Sequence, residues 1–316
     1  MSQLDISIAG EINLDLILYG LPQDLPTERE LLGTAFTMTL GSSSAILAHN
    51  LAALGSRVGF VGKVGDDPFG KLAQERLAES GTDTSRVGRT QKTASGVSII
   101  LPHARERHIL TYPGTISELS FEDLDLEYLA SARHFHMSSL FLHRALLDRI
   151  PELFRHMKGR GLSTSLDTND DPDDRWDGVL PETLPYIDLL FPNEREVQKI
   201  AGVDRLEEAI AVLAERVPTL AVKLGAKGAV AVRDQQRLVA PSINVKVVDT
   251  IGAGDSFNAG FLHEYVKGAS LKRCLECGNL AGAFSTTACG GTEAFRNLSA
   301  LREFLAPDSP LRTTAR

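Results

Sequence analysis

Residues 245–265 constrain the fold of this chain more than any other segment, because a strand, a turn and a helix are predicted there in direct succession. A β-branched run predicts a buried strand that ends at Asp249. Gly252 and Gly254 come next, and glycine permits positive φ and a close approach of the backbone to a ligand. Apolar residues then recur at helical spacing, and Gly268 is a typical helix stop. This order of elements predicts that the free N–H groups of the first helical turn face an anion.

Asp255 places a carboxylate at the start of the predicted helix. Beside an anion-binding turn, a carboxylate can accept the proton of an attacking hydroxyl while the N–H groups stabilise a transferring phosphoryl group. The residues also permit a simpler interpretation, in which Asp255 caps the helix and the glycines only form the turn. A dinucleotide fingerprint would need a small residue at Phe257, and a P-loop would need Gly-Lys-Ser/Thr after a longer spacer.

Residues 249–261 read Asp-Thr-Ile-Gly-Ala-Gly-Asp-Ser-Phe-Asn-Ala-Gly-Phe and resemble the C-terminal signature of the ribokinase-like (PfkB) carbohydrate kinases. The resemblance implies that Asp255 is the catalytic base. It implies that the backbone of Gly252, Ala253 and Gly254 forms the anion hole. It also implies ATP as the phosphoryl donor and Mg²⁺ as its cofactor.

The composition is typical of a globular enzyme. Of the 316 residues, 43% are hydrophobic, which is enough for a sizeable core in one large domain or two small ones. The formal net charge of −8 argues against a nucleic-acid partner. No apolar run reaches membrane-spanning length and the N-terminus lacks the basic region of a signal peptide, so we expect a cytoplasmic protein without a membrane partner.

The three cysteines do not make a disulfide framework, which also suits a reducing compartment. Cys274 and Cys277 form one C-x-x-C pair, but no second pair follows. Their flanks predict a helix. We therefore interpret them as two small buried side chains and not as zinc or redox ligands.

A polar stripe follows the first predicted strand, residues 6–10. Glu11, Asn13 and Asp15 alternate with apolar residues and so share one face. The residues alone leave open whether this face meets solvent or a polar ligand. The resemblance implies that Asn13 and Asp15 bind substrate hydroxyls.

Residues 41–70 resemble the N-terminal signature of the same family, with a helix predicted to open at the small residues that begin the segment. Gly41, Ser42 and Ser43 are thereby implied to line the substrate pocket. The family usually has a second glycine where Ser42 stands and a sugar-binding Asn where Ile46 stands. The pocket has therefore lost a donor and gained bulk, which makes ribose a poorer candidate substrate.

Two segments, about residues 12–40 and 93–115, interrupt the alternation of strands and helices and are predicted to form a lid. In the second, residues 93–111 predict a hairpin with a basic turn. We favour a solvated hairpin tip, with the alternative that Arg105 or Arg107 reaches an anionic substrate. Exposed lid strands can pair with a second subunit, so we expect a homodimer through the lid.

Two later segments carry further polar residues at predicted strand ends. His134 and His136 lie on one side of a strand, and without a third ligand nearby we interpret them as packing or pocket lining. Asp167, Asn169 and Trp176 resemble a segment of the fructokinase-like and sugar-acid-kinase members, which implies that Asn169 binds substrate.

The strand predicted at residues 187–191 leads into Asn193 and Glu196, which match an Asn-x-x-Glu element of the family. The match implies that Asn193 lies at the nucleotide and that Glu196 positions Mg²⁺ through water. The same two residues can cap a helix, and both roles can hold at once.

Further nucleotide contacts are implied by the resemblance at Gly225, Gly228 and Asn279, the last near the adenine base. Lys223 stands where the family commonly has Thr. It either adds positive charge near the phosphates or points to solvent. The resemblance further implies a monovalent cation such as K⁺ beside Asp249.

The sequence as a whole predicts an α/β fold with three α/β/α layers, a mainly parallel central sheet and a small β-sheet lid. We expect one kinase domain over residues 1–316, with a flexible tail at 309–316. The predicted function is an ATP-dependent sugar kinase that transfers the γ-phosphoryl group to a primary hydroxyl of a carbohydrate and is fructokinase-like or 2-keto-sugar-acid-kinase-like. The alternatives are a nucleoside kinase of the same fold and a non-catalytic sugar-binding regulator.

Overall fold

Strands and helices alternate over most of the chain, and the computed structural model describes residues 4–22, 24–103 and 106–306. The strands are β1 (Leu4–Ala9), β2 (Asn13–Tyr19), β3 (Ala35–Gly41), β4 (Val58–Gly65), β5 (Asp83–Thr90), β6 (Val97–His103), β7 (Glu106–Tyr112), β8 (Ala132–Ser138), β9 (Ser163–Asp167), β10 (Leu189–Leu190), β11 (Thr219–Lys223), β12 (Ala229–Arg233) and β13 (Gln236–Ala240). The helices are α1 (Ser43–Ala53), α2 (Pro68–Glu79), α3 (Leu126–Leu129), α4 (Ile150–Gly159), α5 (Val179–Thr183), α6 (Glu194–Ala201), α7 (Leu206–Ala214), α8 (Ala253–Tyr265), α9 (Leu271–Ser285), α10 (Glu293–Arg296) and α11 (Leu298–Leu305).

The larger sheet in the described part of the chain has the strand order β13-β12-β11-β10-β9-β8-β1-β4-β5. From β11 to β5 each strand is parallel to its neighbours, and β12 and β13 add an antiparallel hairpin at one edge. In the centre, Ile6 of β1 pairs with Val58 of β4 and with His134 of β8. The prediction of a mainly parallel central sheet is confirmed.

Helices cover both faces of this sheet. On one face, Phe154 of α4 and Leu213 of α7 belong to a buried apolar cluster with the sheet. On the other face, Leu47 of α1 and Phe261 of α8 belong to a second cluster. Parallel strands must be buried on both sides, so the helices form two outer layers. The predicted three-layer α/β/α arrangement is confirmed.

The smaller sheet has the order β3-β2-β6-β7 and is built from the two predicted lid segments. Because side chains alternate across a strand, Ile17 and Ile100 share its inner face, where they pack with Ile251 near α8. The outer face exposes large apolar side chains, namely Phe36, Met38, Ile99, Leu110 and Tyr112. This second sheet confirms the predicted small β-sheet lid.

Buried polar side chains form a continuous ladder between β8 and β9. His134 contacts Ser163 and Ser165 through its two ring nitrogens, at 2.7 Å each. His136 contacts Ser165 at 2.7 Å and Ser138 at 2.8 Å. The histidines therefore pack within the sheet, which is one of the two interpretations that the sequence leaves open. No group of three or more potential metal ligands occurs anywhere in the described residues.

The start of α2 is capped by a side chain. Asp67 accepts a hydrogen bond from the N–H of Gly70 at 2.8 Å, and Pro68 occupies the first helical turn. Cys274 and Cys277 are buried on α9, as the sequence predicts. None of the helices in the described part of the chain is both long and apolar enough to cross a bilayer.

The prediction of a buried strand ending at Asp249 is wrong. Residues 241–247 have no regular structure, and Val247 and Val248 are more than half exposed. The N–H groups of Val248 and Asp249 donate to the carbonyl oxygen of Thr286, at the end of α9. The last carbonyls of a helix lack partners within it, so the β-branched run pairs with a helix end and not with a sheet. The predicted tail at 309–316 and Arg105 lie outside the described residues.

Candidate active site

The predicted anion-binding turn lies at the N-terminus of α8. Gly252 has φ +70°, and a Cβ built on it would lie 2.5 Å from the Cα of Gly291. Both the backbone conformation and the close approach therefore require glycine at this position. Asp255 follows in the first helical turn and is buried. The structure thus brings a carboxylate and the free N–H groups of a helix start together, as the sequence predicts.

Asp255 and Asp15 of the lid are two buried carboxylates, and the charge of Asp255 acts on Asp15. Burial, ahead of the charge of Asp167, raises the pKa of Asp255 to about 7. Burial, ahead of the charge of Asp255, raises the pKa of Asp15 to about 7. Both groups can therefore exchange protons near neutral pH, which is the property that a general base needs.

Lys223 and Asp167 form a buried ion pair at the carboxyl ends of β11 and β9. The Nζ of Lys223 lies 2.5 Å from Oδ2 of Asp167, and the two side chains are 13% and 0% exposed. The Nδ2 of Asn258, on α8, donates to the same oxygen at 2.5 Å. The alternative in which Lys223 points to solvent is wrong, since strand pairing directs the lysine into the site.

Asn193 and Glu196 form a reciprocal cap at the start of α6. The backbone N–H and side-chain amide of Asn193 donate to the two oxygens of Glu196, at 2.8 and 2.6 Å. Glu196 is buried, and burial, followed by the charge of Asp167, raises its pKa to about 7. Asn193 and Glu196 therefore cap the helix, as one of the two predicted roles requires. The charge of the buried Asp167 also acts on Glu196, and the role of Glu196 toward Mg²⁺ stays a prediction.

The residues predicted to bind the sugar meet where the lid joins α1. Asn13 donates to Ser98 at 3.0 Å and accepts from Ser42 at 2.9 Å. Asn169 donates to Ser43 at 2.9 Å. Ser42 and Asn169 have φ of 67° and 51°, a conformation that non-glycine residues rarely adopt. Residues with such strained backbones cluster at functional sites.

Two neighbours limit the shape of this pocket. A Cβ built on Gly41 would lie 2.1 Å from Oδ1 of Asp15, so this position has room only for glycine. Ile46 is buried, and its Cδ1 would lie 2.6 Å from a Cβ built on Gly291. Ile46 therefore packs against the glycine turn. This is the residue that the sequence predicts to add bulk to the pocket.

The elements predicted to bind the nucleotide also come together. A Cβ built on Gly228, which has φ +95°, would lie 2.1 Å from the carbonyl oxygen of Ala240. Asn279 donates to that oxygen at 3.0 Å and to the oxygen of Pro241 at 2.9 Å. Gly225, with φ +57°, begins the turn before Gly228. These residues enclose one side of the α8 and α9 helix pair.

Asp249 connects the lid to the anion-binding turn. It accepts hydrogen bonds from the hydroxyl of Tyr19 at 2.8 Å, from the N–H of Ile251 at 2.9 Å and from the N–H of Gly290 at 3.1 Å. Tyr19 ends β2 of the lid. The sequence gives no local signal for this contact, because the two residues are far apart in the chain.

Arg107 lies on the inner face of the lid. Its Nη1 donates to Oγ1 of Thr250 at 3.4 Å, close to the anion-binding turn. The side chain is exposed, as expected of a hairpin tip, but it is also directed towards the site. Arg107 is thus within hydrogen-bond distance of the loop that leads into the turn, and its contact with an anionic substrate stays a prediction.

Sequence reasoning did not assign roles to Glu11 or Asn258. Glu11 is buried and accepts from Ser44, Ser139 and His143, at distances of 2.6 to 3.2 Å. Burial opposes its charge, but hydrogen bonds with His143 and Ser44, together with electrostatic attraction to His143, lower the pKa of Glu11 to about 2. The polar stripe was a signal for Glu11. For Asn258, the signal was its place about one helical turn after Asp255.

Comparison with known proteins agrees with this arrangement. Residues 3–297 match the model of the pfkB family of carbohydrate kinases. The chain is 26% identical over 309 residues to the ribokinase of Haemophilus influenzae, covering 95% of this chain and 98% of the relative. It is 27% identical over 288 residues to the 2-dehydro-3-deoxygluconokinase of Bacillus subtilis, covering 86% and 88%. A candidate ribokinase II of E. coli, solved with ATP and Mg²⁺, superposes with a TM-score of 0.82 at 25% identity and covers 95% of this chain and 98% of its own.

The chain belongs to the pfkB family of carbohydrate kinases. Its catalytic class is therefore that of a phosphotransferase acting on an alcohol group.

Proposed function

We propose that this protein is an ATP-dependent sugar kinase that transfers the γ-phosphoryl group to a primary hydroxyl of a ketose or a 2-keto sugar acid. The observation that carries the proposal is the buried carboxylate of Asp255 at the glycine turn of α8. The lid carboxylate Asp15 lies near enough for the charge of Asp255, after burial, to raise its pKa. A base, an anion-binding turn and a lid are the parts that phosphoryl transfer to a sugar requires.

In the proposed reaction, Asp255 accepts the proton of the sugar hydroxyl. The freed oxygen forms a bond to the γ-phosphorus, the bond from that phosphorus to the β,γ-bridging oxygen breaks, and ADP leaves. The N–H groups of Gly252, Ala253 and Gly254 stabilise the charge on the transferring group. Asp255 then releases its proton, which a pKa near neutrality favours.

Metal ions in this proposal are held by few protein groups. Glu196 would hold Mg²⁺ through water and the nucleotide phosphates would supply further ligands. The bound Mg²⁺ neutralises phosphate charge. Asp249 would hold a monovalent cation such as K⁺ together with backbone oxygens of its loop. Support for ATP and Mg²⁺ comes from the E. coli structural relative that contains both.

Asn13, Asp15 and Asn169 are the proposed hydroxyl ligands of the sugar, with Gly41, Ser42 and Ser43 around them. Arg107 favours the acidic substrate, because a guanidinium pairs well with a carboxylate. The B. subtilis relative, named for a keto sugar acid, supports the same class.

The proposed assembly is a homodimer through the lid. The outer lid face, defined by Phe36, Met38, Ile99, Leu110 and Tyr112, is a contiguous apolar surface, and such surfaces mark interaction sites. We also propose a cytoplasmic location, since the cysteines of the described chain are free thiols.

The test is ADP release from Mg-ATP with fructose, tagatose, 2-keto-3-deoxygluconate, ribose, adenosine and inositol. We expect a keto compound to respond, and the acid to respond more strongly than its neutral counterparts. Asp255→Asn should lower turnover by about 10²–10⁴-fold and leave nucleotide binding intact. Asp83→Asn, at the far end of β5, is the matched control and should keep full activity. A response to adenosine alone, or full activity of Asp255→Asn, would contradict the proposal.

A further inference from the structure

Lys223 occupies a position next to the anion-binding turn. A Cβ built on Gly254 would lie 3.7 Å from the Nζ of Lys223. The backbone N–H of Lys223 donates to the oxygen of Pro192 at 2.9 Å, beside the turn that leads to Glu196. The charges of Glu196 and Asp255 both act on this ammonium group, so it lies near the predicted Mg²⁺ organiser as well as the predicted anion hole.

The ammonium is charged despite its burial. Burial opposes the charge of Lys223, but the carboxylates of Asp167, Glu196 and Asp255 outweigh it and raise the pKa of the lysine. Removing one partner of a buried ion pair is strongly destabilising, and replacing both by apolar groups is often neutral. Stability alone therefore gives no reason for a Lys–Asp pair at this place.

The ion pair leaves the lysine able to bind a ligand. The contact with Asp167 uses one of the three N–H donors of the ammonium. Asn258 donates to the same carboxylate oxygen, so Asp167 is itself held in place by α8. The remaining donors can reach a phosphoryl oxygen at the glycine turn without breaking the contact with Asp167.

We propose that Lys223 is a catalytic residue whose ammonium binds the γ-phosphoryl group during transfer, and that Asp167 is the positioning residue that holds it there. This inference rests on the proposed kinase function. The N–H groups of the turn and the ammonium then stabilise the same transferring group from two sides, while Lys223 keeps its proton throughout the reaction.

The first test compares two nucleotides and needs no sugar. Calorimetry would measure binding of Mg-ADP and of the non-hydrolysable Mg-β,γ-imido-ATP to wild type and Lys223→Met. We expect the variant to bind the triphosphate analogue about 10-fold more weakly, which is the loss expected when one charge-assisted hydrogen bond is removed. It should bind ADP as wild type does. Equal weakening for both nucleotides, or none, would overturn the proposal. This outcome is independent of whether the sugar panel yields a substrate.

The second test separates catalysis from stability. Asp167 is left as an unpaired buried charge in Lys223→Met, so the double variant Lys223→Met/Asp167→Asn removes both charges and restores folding. We expect the double variant to keep a kcat about 10²-fold below wild type with little change in sugar KM, and Lys223→Arg to recover part of it. Lys158→Met breaks the partly buried pair with Asp188 elsewhere and is the matched control. Wild-type kcat in the double variant would show that the pair is only structural.

Discussion

At the scale of single residues, the burial of the Asp255 carboxyl lowers the stability of the fold when the group is charged. Its pKa in the folded protein, about 7, lies above the ordinary value of 3.8 because the group is buried. A group with a raised folded pKa contributes stability that is fully present below the unfolded pKa and lost as pH rises through the folded pKa. At pH 8 the charged Asp255 therefore lowers the free energy of unfolding.

Asp255→Asn should consequently raise the Tm at pH 8 by about 2–4 °C, and this gain should shrink as pH falls from 7 towards 4. Asp67→Asn is a control for which we expect a change in Tm of the opposite sign. Burial opposes the charge of Asp67, but backbone N–H donors such as those of Ser95 and Gly70 hold its pKa below the ordinary range. That variant should lose stability at pH 8. Thermal unfolding followed by circular dichroism from pH 4 to 8 measures both, and a lower Tm for Asp255→Asn at pH 8 would contradict the argument.

The sequence predicts the position of Asp255 because its motif is local: turn, carboxylate and helix are consecutive. It does not predict the contact of Lys223 with Asp167, since these residues come from different strands and meet only through sheet pairing. Nor does it predict that Tyr19 reaches Asp249. The sequence thus predicts site residues that belong to one local motif, and it does not predict contacts between elements that are distant in the chain.

At the scale of elements, the Ser–His ladder between β8 and β9 depends on neutral histidines. Burial lowers the pKa of both His134 and His136 to about 3. A group with a depressed folded pKa contributes stability that is present above the unfolded pKa, near 6.5, and is lost as pH falls towards the folded pKa. The sheet should therefore lose stability in the window from pH 6.5 towards 3.

His134→Gln retains an amide that can hydrogen-bond to the serines and removes one titration. We expect the decline of Tm between pH 6.5 and 4.5 to be shallower in this variant than in wild type. Ser163→Ala removes an end of the ladder but no titrating group, so it should lower Tm at every pH without changing the slope. Identical slopes for wild type and His134→Gln would show that the ladder does not couple to pH.

Element prediction succeeded where the periodic pattern is long and failed where it is short. The alternation in residues 132–140 correctly places His134 and His136 on one side, but their serine partners depend on the register of β8 with β9. The β-branched run before Asp249 has strand propensity, yet its hydrogen-bond partner is the end of α9. Propensity measures how well a side chain suits a pleated surface and not whether such a surface is available.

At the scale of the whole molecule, the lid presents an apolar surface that the rest of the described chain does not cover. Leu110, on the edge strand β7, is 56% exposed on the outer lid face, and its partner on β6, Ile99, is 42% exposed. Burying this surface in a second copy would stabilise the lid, because it removes apolar surface from water.

Leu110→Glu should therefore convert a dimer into a monomer, as measured by sedimentation equilibrium at micromolar concentration. Val239→Glu is the matched control, because Val239 is 60% exposed on β13 of the larger sheet. It should leave the dimer unchanged. A monomeric wild type, or a dimer that survives Leu110→Glu, would contradict assembly through the lid.

The hydrogen bond from Tyr19 to Asp249 joins the two ligand-binding parts of the proposed site. Tyr19 belongs to the lid, which carries the proposed sugar ligands Asn13 and Asp15, and Asp249 belongs to the loop that leads into the glycine turn. A ligand that stabilises this bond from one side would raise the affinity for the ligand on the other side, and linkage requires the factor to be equal in both directions. On the proposed function, one phenolic hydroxyl would thereby make the binding of sugar and of phosphoryl donor cooperative.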